Sequence, residues 1–313
     1  MSNLSLYLIS VLIWGSTWIA ITYQYGRVAP EVSVAYRFGL ASVLLLAWCL
    51  LRGLNLRFTR REHGWLALQG ALMFGLNYVC VYLAEQRIPS GLMAVIFSLL
   101  SVLNLLGARL FFGTPLPGKA LWGVAIGITG VAIICLPGAA GALHGGGFGS
   151  GLAFALVGVV AASFSNLVSQ RNQRHGLPVV QGNALGMAYG ACFVALSCLL
   201  AGRPFAMDPS LRYLSSLAFL AVFGSILAFG AYLTLVGRIG AGRAGYAMVA
   251  IPVVALLLST LLEGLQWRWG LALGTALCLT GNALVLPRKG SETTGSDPVP
   301  APGTQKPTAR MKG

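Results

Sequence analysis

Long apolar runs separated by short polar turns dominate the chain. Ten can be marked, at residues 5–24, 32–51, 65–84, 91–112, 120–136, 149–170, 181–200, 213–236, 244–262 and 269–286. Most are about 20 residues long, the length at which an α-helix crosses a bilayer core. Several carry polar groups in their middle at helical spacing. Asn77, Tyr78 and Tyr82 lie on the third run, Ser98, Ser101 and Asn104 on the fourth, and Ser163, Asn166 and Gln170 on the sixth. Hydrocarbon penalises such groups, so these faces are expected to meet protein or water and not lipid. The pattern also repeats. Arg87-Ile88 recurs as Arg238-Ile239, Val102 as Val253, Gly123 as Gly274 and Gly130 as Gly281, each at an offset of 151. Five runs per copy is an odd number, so the second copy enters the membrane from the opposite side. The predicted fold is therefore all-α and polytopic, with ten transmembrane helices in a 5+5 inverted repeat. The predicted units are 1–140 and 141–288, followed by a Pro/Gly/Ser/Thr-rich tail, 289–313, that is expected to be disordered.

Composition agrees with this pattern and removes other classes. The chain is 57% hydrophobic and 9% charged, against roughly 25% charged in soluble domains. No segment between runs exceeds about 14 residues, too short for a catalytic domain. The net charge of +14 would suit nucleic acid, but its placement reads as topology. With a cytoplasmic N-terminus, fifteen of the 21 Lys and Arg fall on inner segments, leaving Arg27, Arg37, Arg87, Arg203, Arg212 and Arg268 outside. Both termini are then cytoplasmic, and the excess attracts anionic lipid and not nucleic acid. The six cysteines sit within apolar runs without a C-x-x-C pair and read as small buried hydrophobes. The first run lacks a basic leader and reads as a retained helix, not a signal peptide.

The candidate chemistry is neutral. Trp14 and Trp18 are four apart and share a helix face. They form either an aromatic wall for a ligand or a packing contact with glycine-rich neighbours. Phe74, Tyr78 and Tyr82 form a stripe beside Asn77, suited to a ligand or to an interhelical hydrogen bond. Phe97, Ser98, Ser101 and Asn104 line one run, and Asn166 lies near Phe164 on another. Such polar groups also bind helices to each other, but faces drawn from both halves favour a shared cavity. Pro252, in mid-run, is either a gating hinge or a fixed bend. Gly182, Gly186 and Gly190 form a small-residue ridge, as do Gly123 with Gly127 and Gly270 with Gly274. These suit close helix packing or dimerisation. Carboxylates and histidines are confined to loops, the tail and run ends, so the centre lacks the usual proton relay and favours a net-neutral ligand. Arg37 is the deepest charge, and either snorkels outward or pairs with a ligand carboxylate or Glu31. No catalytic constellation, metal spacing or cofactor motif appears.

Trp14-Gly15, Pro30 with Tyr36-Arg37-Phe38, the paired glycines and Pro252 with Glu263-Gly264 together resemble the EamA branch of the drug/metabolite transporter superfamily over residues 5–288. Two positions depart from it: the family's fourth-helix proline appears as Ser101, and a glutamate after that helix is absent around Gly113-Thr114. The two halves are thus expected to move differently. The resemblance implies an inner-membrane exporter of small metabolites, a monomer or weak homodimer. Its aromatic pattern is similar to that of YddG-type amino-acid exporters. It further implies a central cavity lined by helices 1, 3, 4, 6, 8 and 9, with helices 5 and 10 peripheral.

Overall fold

The computed structural model describes residues 1–114, 118–136, 147–239 and 246–285. The predicted tail at 289–313 lies outside them. Helices account for all regular structure among the described residues. In chain order they are α1 (Asn3–Thr22), α2 (Pro30–Leu51), α3 (Arg60–Glu85), α4 (Ser90–Phe112), α5 (Gly118–Cys135) and α6 (Phe148–Arg174). There follow α7 (Val179–Leu200), α8 (Leu211–Tyr232, running on to Ile239), α9 (Tyr246–Leu262) and α10 (Trp269–Val285). Seven are long and apolar enough to cross a membrane, and α5, α9 and α10 contain shorter apolar helices.

Local chemistry sets the ends. Thr59 and Glu62 form a reciprocal capping box that starts α3 five residues before its apolar run begins at Trp65. His63, expected in a loop, therefore lies in the first turn of α3, where its Nδ1 meets the Tyr189 hydroxyl at 2.7 Å. Pro30 opens α2 at a position where its missing N–H costs nothing. Gly113 closes α4 at φ +67°, a left-handed cap that glycine adopts without strain.

Two helices carry π-helical turns, Ala71–Asn77 in α3 and Leu220–Leu227 in α8. Each inserts extra backbone into the α ladder and re-aims the side chains beyond it.

The glycine ridges pack helices within the chain. A Cβ on Gly70 would sit 2.1 Å from the Gly186 carbonyl oxygen, and one on Gly190 would sit 2.7 Å from that of Gly70, so α3 and α7 touch backbone to backbone. In the α5–α10 contact, Gly130 and Gly281 would each drive a Cβ to within 2.6 Å of a partner carbonyl. With little hydrophobic drive between helices in lipid, such close approach supplies the packing energy. Around these contacts the helices pair off. Helix α1 packs on α9 and α8 as α6 packs on α4 and α3, while α2 faces α7 and α5 faces α10. Cys49, Cys80, Cys192 and Cys198 are free thiols. Cys192 departs from expectation: it is exposed on the outside of the bundle and not buried.

Candidate functional site

A cavity of about 470 Å³ occupies the middle of the bundle. It runs from Gln173, Val179 and Asn183, at the face that carries the chain's N-terminus, inward to Ile21, Val81 and Ala94. Helix α1 brings Trp14, Thr17 and Trp18 to it, α3 brings Gln69, Phe74, Asn77 and Tyr78, and α4 brings Phe97, Ser98, Ser101 and Asn104. From the second half come Asn166 and Gln170 on α6, Phe229 and Tyr232 on α8, Ile251 and Pro252 on α9, and Asn282 on α10.

The aromatic rings brace one another. Trp18 and Phe97 meet edge to face at 5.2 Å, and Trp14 packs on Phe229 at 5.0 Å and Tyr232 at 5.3 Å. The Trp14 indole N–H donates to the Gly224 carbonyl at 3.1 Å, which fixes the ring plane. Gly224 lies within the π turn of α8, so the local distortion and the aromatic wall are coupled. The amides are less committed. Asn166 Nδ2 donates to Asn104 Oδ1 at 3.4 Å, a bridge between the two halves. Asn77 Nδ2 donates to the Met73 carbonyl, while its Oδ1 has no partner. Neither polar atom of the Asn282 amide has one either. Buried amides without partners carry an energetic penalty that a hydrogen-bonding solute would relieve.

The opposite end is sealed by polar contacts. Glu263, at the end of α9, accepts from the Ser90 N–H at 3.1 Å, from the Ser90 hydroxyl at 2.7 Å and from the Ser259 hydroxyl. Gly91 there lets α4 approach so closely that a Cβ would lie 2.8 Å from Leu256 Cα. The Tyr25 hydroxyl donates to Glu85 Oε2 at 3.4 Å and to the Tyr82 carbonyl at 3.2 Å. Burial, and next the Glu85 carboxylate, hold the Tyr25 phenol well above its ordinary range, so it remains a donor.

Nine of the eleven expected contact residues line the cavity: Trp14, Trp18, Asn77, Tyr78, Phe97, Ser98, Ser101, Asn104 and Asn166. Two do not. Tyr82 is fully buried behind the wall, with its hydroxyl bound to Gln24 Oε1 at 2.8 Å. Phe164 is 47% exposed and packs on Phe111 on the outer surface of the bundle. It is two residues from Asn166, and residues two apart point to different sides of a helix. Pro252 lines the cavity, but within an uninterrupted α9. Helices α7 and α10 also contribute lining, which the resemblance did not imply. Thr17, Gln69, Gln173, Asn183 and Asn282 are cavity residues that the sequence pattern did not mark. Gln69 was legible in principle as an amide within the third apolar run, although it also holds α6 by accepting from Asn172 Nδ2 at 3.0 Å. Arg37 does not snorkel: only 1% exposed, it points into the protein.

Residues 1–136 and 149–286 match the model of the EamA-like transporter family. The chain belongs to that family. It is 32% identical over 301 residues to the "Uncharacterized inner membrane transporter YedA" of Escherichia coli K12, covering 94% of this chain and 93% of that one. It is 26% identical over 298 residues to a "Probable amino-acid metabolite efflux pump" of the same strain, covering 88% and 91%. A solved crystal structure superposes with a TM-score of 0.63 at 20% identity, covering 91% of this chain and 97% of its own, which supports the fold alone. This EamA-family chain is thus a multi-pass membrane transporter.

Proposed function

We propose that the chain is an alternating-access exporter of small neutral metabolites in the inner membrane, with amino acids bearing aromatic or large apolar side chains as the leading class. The observation that carries this reading is the cavity itself. Its walls are aromatic, its polar groups are neutral amides and hydroxyls, and it reaches one face of the bundle while polar contacts seal the other. Trp14, Trp18, Tyr78 and Phe97, with Phe229 and Tyr232, would hold the apolar body. Asn77, Ser98, Ser101, Asn104, Asn166 and Asn282 would orient its polar end.

The architecture proposed is ten helices in a 5+5 inverted repeat, with units 1–140 and 141–288 and both termini cytoplasmic. Three observations support it. The main pairings have counterparts when every helix is exchanged with the one five places away: α1 on α9 answers α6 on α4, α1 on α8 answers α6 on α3, and α2 on α8 answers α7 on α3. The π turns fall on α3 and α8, which are such a pair. The family match covers two stretches, one in each half. A two-fold arrangement of this kind gives two states of similar energy, open to either face. The name of the efflux-pump relative favours export and an amino-acid cargo for this chain too.

The test is uptake of labelled phenylalanine, leucine and tryptophan by proteoliposomes. Saturable flux of at least one above protein-free vesicles is expected. Absence of flux for all three, with competition by nucleosides or lipophilic drugs in a binding assay, would reassign the cargo.

A further inference from the structure

Arg37, on α2, heads the largest fully buried side chains among the described residues and is 1% exposed. A guanidinium has five N–H donors and stays charged, so burying it in a membrane protein is costly unless an anion or several acceptors meet it. The partners it has are neutral. Its Nε donates to Ser225 Oγ at 3.4 Å, a long contact with a hydroxyl that itself donates to the Leu220 carbonyl. Its planar group stacks over the Tyr78 ring at 4.6 Å and the Phe38 ring at 5.1 Å, and the Tyr82 hydroxyl lies close by. Nη1 has no partner. The carboxylate of Glu85 acts on Arg37 only at longer range and is engaged by the Tyr25 hydroxyl.

The guanidinium stands one side chain behind the cavity wall. Tyr78, on whose ring it stacks, lines the cavity. Thr17, which also lines it, converges on the same point of α8: a Cβ on Gly224 would meet Thr17 Cγ2 at 2.8 Å and Arg37 Nη2 at 3.4 Å. Among the described residues, none that lines the cavity is charged. A solute with a free carboxylate would therefore find neutral amides around it and, just behind Tyr78, one cation whose Nη1 is without a partner.

The geometry points to Arg37 as the anchor for a carboxylate on the transported solute, reached when the Tyr78 ring turns aside and the planar fork donates to the two oxygens through Nη1 and Nη2. This rests on the proposed cavity transport and deepens it, since it narrows the cargo to compounds with a free carboxylate. A zwitterionic amino acid satisfies both demands, being neutral overall yet carrying the anion. The fork, and not charge alone, fits the task, because a guanidinium matches a carboxylate with two parallel hydrogen bonds.

The experiment is binding to the purified full-length chain, read by calorimetry, with three probes: phenylalanine, its carboxamide, and 3-phenylpropionate. The wild type should bind phenylalanine and phenylpropionate at least about tenfold more tightly than the carboxamide, the scale of a hydrogen bond to a charged group. Arg37→Gln should erase that preference while leaving carboxamide affinity in place, and Arg37→Lys should restore part of it. If Arg37→Gln does not fold, Arg37→Lys carries the test: it should weaken binding of both acids while leaving carboxamide affinity unchanged, and unchanged acid affinity would overturn the anchor. Equal affinity for acid and carboxamide would overturn the anchor and leave an amino-acid transporter standing. Failure of all three probes to bind, with no flux in proteoliposomes, would overturn both.

Discussion

In the proposed repeat, helices α4 and α9 are counterparts, with Ser101 of one at the offset position of Pro252 of the other. Proline is the residue that breaks helices, yet here the proline-bearing helix runs unbroken from Tyr246 to Leu262. The helix without it divides at Ser98 into Ser90–Phe97 and Leu99–Phe112. At that point the ladder tightens. The Ser98 N–H bonds to the Val95 carbonyl at 3.0 Å and the Ser101 N–H to the Ser98 carbonyl at 3.2 Å, both three residues back and not four. The identity of the residue at one position therefore does not locate the bend. Ser98 lines the cavity and Pro252 lines it from the opposite half, so the two helices offer unlike walls to the same space. The loosened ladder thus lies in α4, while α9 is continuous through Pro252.

The comparison can be broken where the two helices touch. Gly91→Val should have the largest effect, because its Cβ would meet Leu256 Cα and Ser259 Cβ at 2.8 Å and backbone cannot yield. A loss of about 3 kcal/mol is expected, read as a large drop in melting temperature in detergent. Glu263→Gln comes next. It removes the charge that gathers Ser90 and Ser259 across the sealed end, costing about 2 kcal/mol. Its specific sign is greater reactivity of a cysteine placed at Ile21 toward reagents added from that end.

Smaller effects sharpen the contrast. Ser101→Pro gives α4 the proline of its counterpart. Because the Ser101 N–H makes only the i→i−3 bond at 3.2 Å, the cost should be about 1 kcal/mol, against about 3 for Leu105→Pro in the regular part of the helix. Equal losses for the two prolines would show that α4 is not loosened at Ser98. Pro252→Ala should be mildest, changing flux by no more than about twofold, or roughly 0.4 kcal/mol of barrier. A collapse of transport with unchanged stability would make Pro252 the hinge after all.

The membrane runs and most of the cavity were legible because both rest on period. An apolar run of span length reads directly, and polar residues three or four apart on a helix share a side, which gathered Asn77, Ser101, Asn104 and Asn166. Tyr82 escaped for a geometric reason. Four residues advance an α-helix by about 40° beyond a full turn, and below Tyr78 the π turn at Ala71–Asn77 shifts the register further. A stripe written at i, i+4, i+8 drifts off the cavity and ends against Gln24. Phe164 was misplaced by adjacency, since nearness in sequence is not nearness on a helix face. Arg37 was unreadable in another sense. Whether a basic residue near a helix end snorkels or turns inward depends on tertiary neighbours such as Tyr78 and Ser225, which no local pattern reveals.

The central claim is a solute chamber that opens to one face of the membrane at a time. Its most direct test is a single cysteine at Ser98, in a chain whose six native cysteines are replaced, probed in oriented vesicles with impermeant maleimide added to either side. Labelling from the side of the N-terminus without substrate, and from both sides while substrate is being exchanged, is the predicted result. Reactivity from one side only, unchanged under exchange, or from neither, would contradict it.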